Sequence, residues 1–348
     1  MKVAEFDFPL PAEAIAQRPA VPRDSARLLE VGARLRNHVV RDLPHLLRAG
    51  DLLVFNDTKV IPARLHGHRD GVPIEVTLIK EIAPGRWRAL ARRARRLKPG
   101  QRIDFAEGFS AAIVTKRPEG DVELVFECTG AALLAALERH GTPPLPPYIK
   151  RDAPDPRDRA DYQTVFAARP GAIAAPTAGL HFTEALLARL DAHRVRRTTI
   201  TLHVGAGTFS PVKADNVEDH VMHAEWGEIG TAAAEAVART RSDGGRVVAV
   251  GTTALRLIET AAAGGAVRPF AGETAIFIAP GFDFRAADML ITNFHLPCSS
   301  LFMLVCAFTG TDRMKEAYAH ALAAGYRFYS YGDCCLLSRE QNRGEQAT

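Results

Sequence analysis

Leu52-Leu53-Val54-Phe55-Asn56-Asp57-Thr58 joins an uninterrupted apolar run to three polar residues. A strand buried on both faces reads this way, and such strands belong to parallel sheets covered by helices. The helix-like stretch Leu43–Arg48 precedes it and ends at Gly50-Asp51. Val247–Val250 repeats the pattern and runs through Gly251-Thr252-Thr253 into another helix. Thr198–Val204, Ala275–Ile278 and Met289–Thr292 read as further strands, and Leu28–Val31 as a strand entering a turn at Gly32. Thr183 is placed to cap a helix to about His193, Ala232–Arg241 is a helix, and Ser299 or Ser300 opens an apolar helix through Phe308. This alternation predicts an α/β fold: a larger domain whose mostly parallel sheet is covered by helices.

Between His66 and Phe126 the texture changes. Ile74–Ile79, Trp87–Ala91, Ala111–Thr115 and Val122–Phe126 are short alternating segments separated by Gly and Pro turns, which predicts a small antiparallel β-barrel. Ala131–Arg139 follows as an apolar helix with Thr129 at its N-cap, and Pro143–Pro147 is a stiff connector. The barrel is therefore expected as an insertion, residues 66–142, in a larger domain formed by 1–65 and 143–348.

The 348 residues carry 47% hydrophobic side chains and a formal net charge of +4, the composition of an ordinary globular protein. Five cysteines without a CxxC pair, and an N-terminus without an apolar signal core, point to the cytoplasm; no apolar run is long enough to span a membrane. Arg86, Arg88, Arg92, Arg93, Arg95, Arg96 and Lys98 form a basic run with no acid among them. It suits RNA phosphates and a solvated protein face equally well. Neither GxGxxG nor GxxxxGK[ST] occurs, which weighs against dinucleotide binding and phosphoryl transfer.

Ligands of open α/β sheets collect at the carboxyl ends of the strands. Five polar clusters are expected at such ends: Asn56 with Asp57, Thr177 to Thr183, His203 to Phe209, Gly251 to Thr253, and Asn293 to Ser299 with His295. Each alone reads as a cap or turn, whereas five at one edge predict a shared pocket. In Asp219-His220-Val221-Met222-His223-Ala224-Glu225 the H-x-x-H-x-E order lacks the i, i+4 geometry of a helical zinc site, so hydrogen bonding or proton transfer is expected there and no metal.

Taken together, nine ordered motifs cover nearly the whole chain: Asn56–Leu65, Pro146–Ile149, Asp161–Phe166, Ala174–Thr183, Leu202–Phe209, His220–Glu225, Val250–Thr253, Thr292–Pro297 and Tyr326–Asp333. They resemble the S-adenosylmethionine:tRNA ribosyltransferase-isomerase family of queuosine biosynthesis. The resemblance implies a tRNA anticodon stem-loop carrying 7-aminomethyl-7-deazaguanine at the wobble position, with S-adenosylmethionine as ribosyl donor and no prosthetic group. Epoxyqueuosine-tRNA, adenine and methionine would be the products, and the larger domain would be the catalytic one. A monomer or weak dimer is expected.

For the chemistry, a base must take a proton from the 5′-carbon beside the sulfonium. On the resemblance, His203 or Glu225 is assigned as base and His181 or His223 as acid. Thr177, Gly179, Gly205, Gly207, Thr252 and Thr253 would shape the donor site, with Asn56, Asp57, Phe182, Thr208, Phe209, His220, Asn293 and His295 as further substrate contacts. Two features depart from the family pattern: Cys298 stands where Lys is usual, and Cys334-Cys335 where Ala-Met is usual. If that Lys touches phosphate, this chain has one RNA contact fewer. A noncatalytic RNA-binding protein and a conventional methyltransferase remain alternatives.

Overall fold

The computed structural model describes residues 1–92, 97–117, 121–205, 212 and 214–339. The chain opens with β1 (Arg27–Val31), β2 (Leu35–Val39), α1 (Leu43–Leu46), β3 (Leu52–Asn56) and β4 (Thr58–Val60). Six strands follow: β5 (Arg64–Arg69), β6 (Val72–Ala83), β7 (Arg86–Ala91), β8 (Arg102–Ala106), β9 (Phe109–Lys116) and β10 (Asp121–Phe126). Next come α2 (Gly130–His140), α3 (Asp158–Asp161), β11 (Arg169–Ala172), α4 (Glu184–Ala192), β12 (Arg196–Leu202), β13 (Glu225–Ile229), α5 (Thr231–Ser242), β14 (Val247–Val250) and α6 (Thr252–Ala261). The last elements are β15 (Phe270–Thr274), β16 (Met289–Asn293), α7 (Ser300–Thr309), α8 (Thr311–Ala323) and β17 (Cys334–Ser338).

Nine strands form one sheet in the order β15-β13-β12-β3-β14-β16-β17-β1-β2. The neighbours β12, β3, β14 and β16 run parallel, β17 pairs parallel with β1, and the remaining neighbours are antiparallel. The uninterrupted apolar runs are explained by burial on both faces. Leu52, Val54, Val247 and Ala249 point into a core shared with α5, α6, α7 and α8, while Leu53, Phe55, Val248 and Val250 point into a second core under α1 and α4. Side chains alternate across a strand, so each face takes every second residue.

Strands β5 to β10 close a separate antiparallel barrel in the order β10-β7-β6-β5-β8-β9. Its filling includes Leu65, Val76, Leu78, Trp87, Ile103, Ile113 and Leu124, and α2 adds Leu133 and Leu137. Two local expectations differ from the structure. The strand expected at Ala275–Ile278 lies just upstream, at Phe270–Thr274, because pairing with β13 sets its register. Thr129 occupies the N-cap of α2, but its side chain makes no capping bond.

Thr183 does cap α4: its hydroxyl oxygen accepts from the Leu186 N–H at 3.1 Å and donates to Asp24 at 3.3 Å. Thr183→Ala is expected to lower stability by about 1 kcal/mol, the usual loss for a side-chain N-cap. A urea midpoint equal to wild type would refute that value for the cap.

Candidate active site

From the carboxyl ends of β14 and β16 the chain passes into α6 and α7. Gly251, at φ 92°, makes the first turn in one residue, a backbone conformation that L side chains rarely adopt. After β16 six residues, 294–299, lead to α7, whose N-cap Ser299 accepts from the Phe302 N–H at 3.1 Å. Between these helix starts and the segment 174–178 lies a cavity of about 260 Å³. Thr177, Val204, Thr252, Thr253, Asn293 and His295 line it, together with Tyr148, Cys298, Ser300, Tyr329 and Ser330. Hydroxyls, an amide and an imidazole thus share one concave space with Ala174, Ala175, Phe294 and Leu301, the mixture expected where a small molecule is oriented by few polar contacts.

Behind the wall the polar groups are braced. Asn293 donates its side-chain N–H groups to the Tyr329 carbonyl at 3.1 Å and toward His181 Nε2 at 3.3 Å. His181 is buried and reaches the cavity through Asn293 rather than lining it; burial, reinforced by the Arg23 and Arg327 charges, lowers its pKa to about 3. A neutral imidazole accepting at Nε2 carries its proton on Nδ1. His295 pairs Nε2 with the Thr292 hydroxyl at 2.9 Å, and burial lowers its pKa to about 3 also. Cys298 adopts φ 53°, and burial together with the nearby Asp7 raises its thiol pKa.

The end of β12 forms a second cluster. His203 Nδ1 lies 2.8 Å from the Thr58 hydroxyl, and its ring stacks on Trp226 with centroids 5.5 Å apart. Burial is the main cause lowering its pKa, which keeps the ring neutral at neutral pH. Glu225, buried at the start of β13, forms an ion pair with the buried Arg256 of α6 and accepts from the Gly205 N–H at 2.9 Å.

Other residues assigned from sequence sit elsewhere. Asn56 binds backbone: its oxygen accepts from the N–H groups of Leu202 and Thr58, and its amide donates to the Leu202 carbonyl, tying β3 to the end of β12. Asp57 accepts from the Thr201 hydroxyl at 2.7 Å. Phe182 packs against Phe55 and Phe166, and Gly179 fits under Thr164. His220 rests on Phe277, and His223 is exposed. Gly207, Thr208 and Phe209, like Arg93, Arg95 and Arg96, lie outside the described residues. In the basic run, Arg86 pairs with Glu123 and Arg88 with Asp121 on the neighbouring strand β10, and Arg92 meets Glu75 at 3.4 Å while its side chain stays 80% exposed. Lys98 is exposed.

Sequence reasoning missed Arg256, and it placed Thr58 at the strand end and Thr292 in a motif without giving either a role; the three orient the assigned residues. A lone Arg within Ala254-Leu255-Arg256-Leu257-Ile258 was the available signal, since a cation on an apolar helix face requires a buried acid. Among the described residues, no group of three His, Cys, Asp or Glu side chains is arranged to hold a metal, and no helix is long and apolar enough to cross a membrane.

A family model described as "Queuosine biosynthesis protein" matches residues 3–337. The chain is 59% identical, over 98% of its length and 99% of the relative's, to the S-adenosylmethionine:tRNA ribosyltransferase-isomerase of Rhodospirillum rubrum. It is 57% identical, over 99% and 98%, to the protein of the same name from Gluconacetobacter diazotrophicus. A crystal structure of S-adenosylmethionine tRNA ribosyltransferase from Thermotoga maritima aligns with a TM-score of 0.55 at 34% identity, covering 95% of this chain and 99% of that one.

Proposed function

Since the chain belongs to the queuosine biosynthesis family of S-adenosylmethionine:tRNA ribosyltransferase-isomerases, we propose that it transfers and isomerises the ribosyl moiety of S-adenosylmethionine. The acceptor is 7-aminomethyl-7-deazaguanine at the tRNA wobble position; epoxyqueuosine-tRNA forms, and adenine and methionine leave. One observation carries the reading to this chain's own residues: Thr177, Thr252, Thr253, Asn293 and His295, distant in sequence, meet in a single cavity at the carboxyl ends of two neighbouring parallel strands. That cavity is the donor site in this reading. In this reading residues 1–65 with 143–348 are the catalytic unit of a cytoplasmic monomer or weak dimer, and 66–142 are the inserted barrel unit, whose first strand, β5, begins two residues earlier at Arg64.

His203 is the better candidate for the base. It is neutral at neutral pH, braced at Nδ1 by Thr58, and adjacent in sequence to Val204 of the cavity wall. Glu225 holds Gly205 and neutralises Arg256, so taking up a proton would strip that buried guanidinium of its countercharge. His223 is the better candidate for the acid, because His181 is buried and accepts a hydrogen bond.

Incubation with S-adenosylmethionine and a modified anticodon stem-loop tests the function. Adenine release and a nucleoside heavier by the cyclised sugar are expected. RNA binding without adenine release would leave a noncatalytic RNA-binding protein, and a methylated product would mean a methyltransferase. On the barrel, Arg92 and Lys98 are the described cations of the basic run most open to phosphate. The Arg92→Ala and Lys98→Ala double variant is expected to weaken stem-loop binding and reduce its log–log salt slope by roughly 1 to 2. An unchanged slope would place the phosphate contacts elsewhere.

A further inference from the structure

Trp226 is the only exposed Phe, Tyr or Trp among the described residues. It is 38% exposed, the rest being covered by its neighbours in the fold. It caps a layered arrangement. Gly171 lies against the ring of His203, where an added Cβ would fall 2.8 Å from the imidazole atoms, and the imidazole stacks on the indole with the planes 21° apart. Thr58 fixes the imidazole from the side. The stack therefore ends in an aromatic surface open to solvent and one residue layer from the proposed base.

Cations flank that surface. Trp226 lies opposite Glu273 of β15, and Glu273 accepts from Lys80 of barrel strand β6 at 2.6 Å. Two residues along β13, Glu228 accepts from Arg169 at 2.6 Å. Lys80 and Arg169 are about half exposed, and exposed ion pairs are weak enough for a phosphate to replace the carboxylate partner. A partly exposed indole between two surface ion pairs, one of which joins barrel strand β6 to β15, has the chemistry of a nucleotide platform. Single-stranded RNA is recognised by stacking unpaired bases on such rings while cations take the phosphates.

We infer that Trp226 is the stacking platform for a nucleobase of the tRNA anticodon loop, holding the loop beside the donor cavity. The inference rests on the proposed tRNA substrate and adds to it a residue and a contact type. It is tested by binding of the anticodon stem-loop to the full-length wild-type protein and to Trp226→Ala and Trp226→Phe, with S-adenosylmethionine affinity as the control for folding. Trp226→Ala is expected to bind the stem-loop about tenfold more weakly, within the range for losing one stacked base. Trp226→Phe should recover most of that loss, with donor affinity the same in all three proteins. Trp87, the only other tryptophan, is buried in the barrel, so stem-loop binding should change the emission of wild type but not of Trp226→Phe.

Equal stem-loop affinity for wild type and Trp226→Ala would overturn the platform while leaving the tRNA substrate intact. A wild type that binds the donor but no stem-loop would overturn both. If Trp226→Ala altered only the concentration dependence of self-association, the surface would be a contact between two copies of the chain, and the inference would fail.

Discussion

Lowering the pH from 6.5 to 4.5 is expected to remove about 5 kcal/mol of folding stability through His181 and His295 alone. Both imidazoles are buried, and burial lowers their pKa from 6.5 to about 3. Once unfolded, each takes up a proton near pH 6.5. Across the interval the unfolded chain therefore binds more protons than the folded one, and stability falls as pH falls, by about 1.4 kcal/mol per unit for each ring. The slope fades as pH rises through 6.5, where the unfolded imidazoles give up their protons. Replacing either histidine by Gln keeps a polar group where Nε2 stood, beside Asn293 or Thr292. Each single variant should lose about half of the two-histidine contribution to the pH slope, whatever its stability at pH 7. Urea unfolding at several pH values reads this directly, and a wild-type slope in both variants would mean that the two rings accept protons within the fold.

His203→Asn is expected to reduce adenine release at least about a hundredfold, the lower range for loss of a positioned general base. Asn can keep the contact that Nδ1 makes with Thr58, while the nitrogen on the far side of the ring is lost. Donor affinity and urea midpoint should change little. The wild-type rate should fall with acidity only below the ordinary imidazole value of 6.5, because burial has moved the His203 titration downward. Glu225→Gln supplies the contrast: it leaves Arg256 buried without a full countercharge and should act mainly on stability. Near-normal turnover in His203→Asn, with a collapse of turnover in a stably folded Glu225→Gln, would transfer the role of base to Glu225.

The parallel centre of the sheet was legible because its strands are buried on both faces. Leu52–Phe55 and Val247–Val250 carry that burial as unbroken apolar runs, and Gly251-Thr252-Thr253 marks the turn that follows. Edge strands carry no such mark. Phe270-Ala271-Gly272-Glu273-Thr274 becomes a strand by pairing with β13, while the more apolar Ala275–Ile278 stays irregular. At the site, residue type did not show which polar groups face the cavity and which are engaged elsewhere. Asn56 has the right chemistry to touch a ligand, yet its amide is engaged by backbone 146 residues away, a pairing that only the register of β3 and β12 creates. Arg86 and Arg88 read as a bare cationic run because their carboxylate partners, Glu123 and Asp121, come from a strand more than thirty residues on.

The placement of β17 between β16 and β1 has a consequence for how the protein is made. Leu28 pairs with Cys334 and Leu29 with Cys335, so the first strand of the chain waits for the last. At typical synthesis rates the ribosome needs roughly 15 to 60 s to produce the intervening chain. Throughout that interval the apolar side chains of Leu28, Leu29 and Val31 lack the neighbour that completes their cover. The nascent polypeptide thus carries an adhesive N-terminal hairpin, and a chaperone that shields it during translation would raise the yield of folded enzyme without altering the stability of the finished molecule.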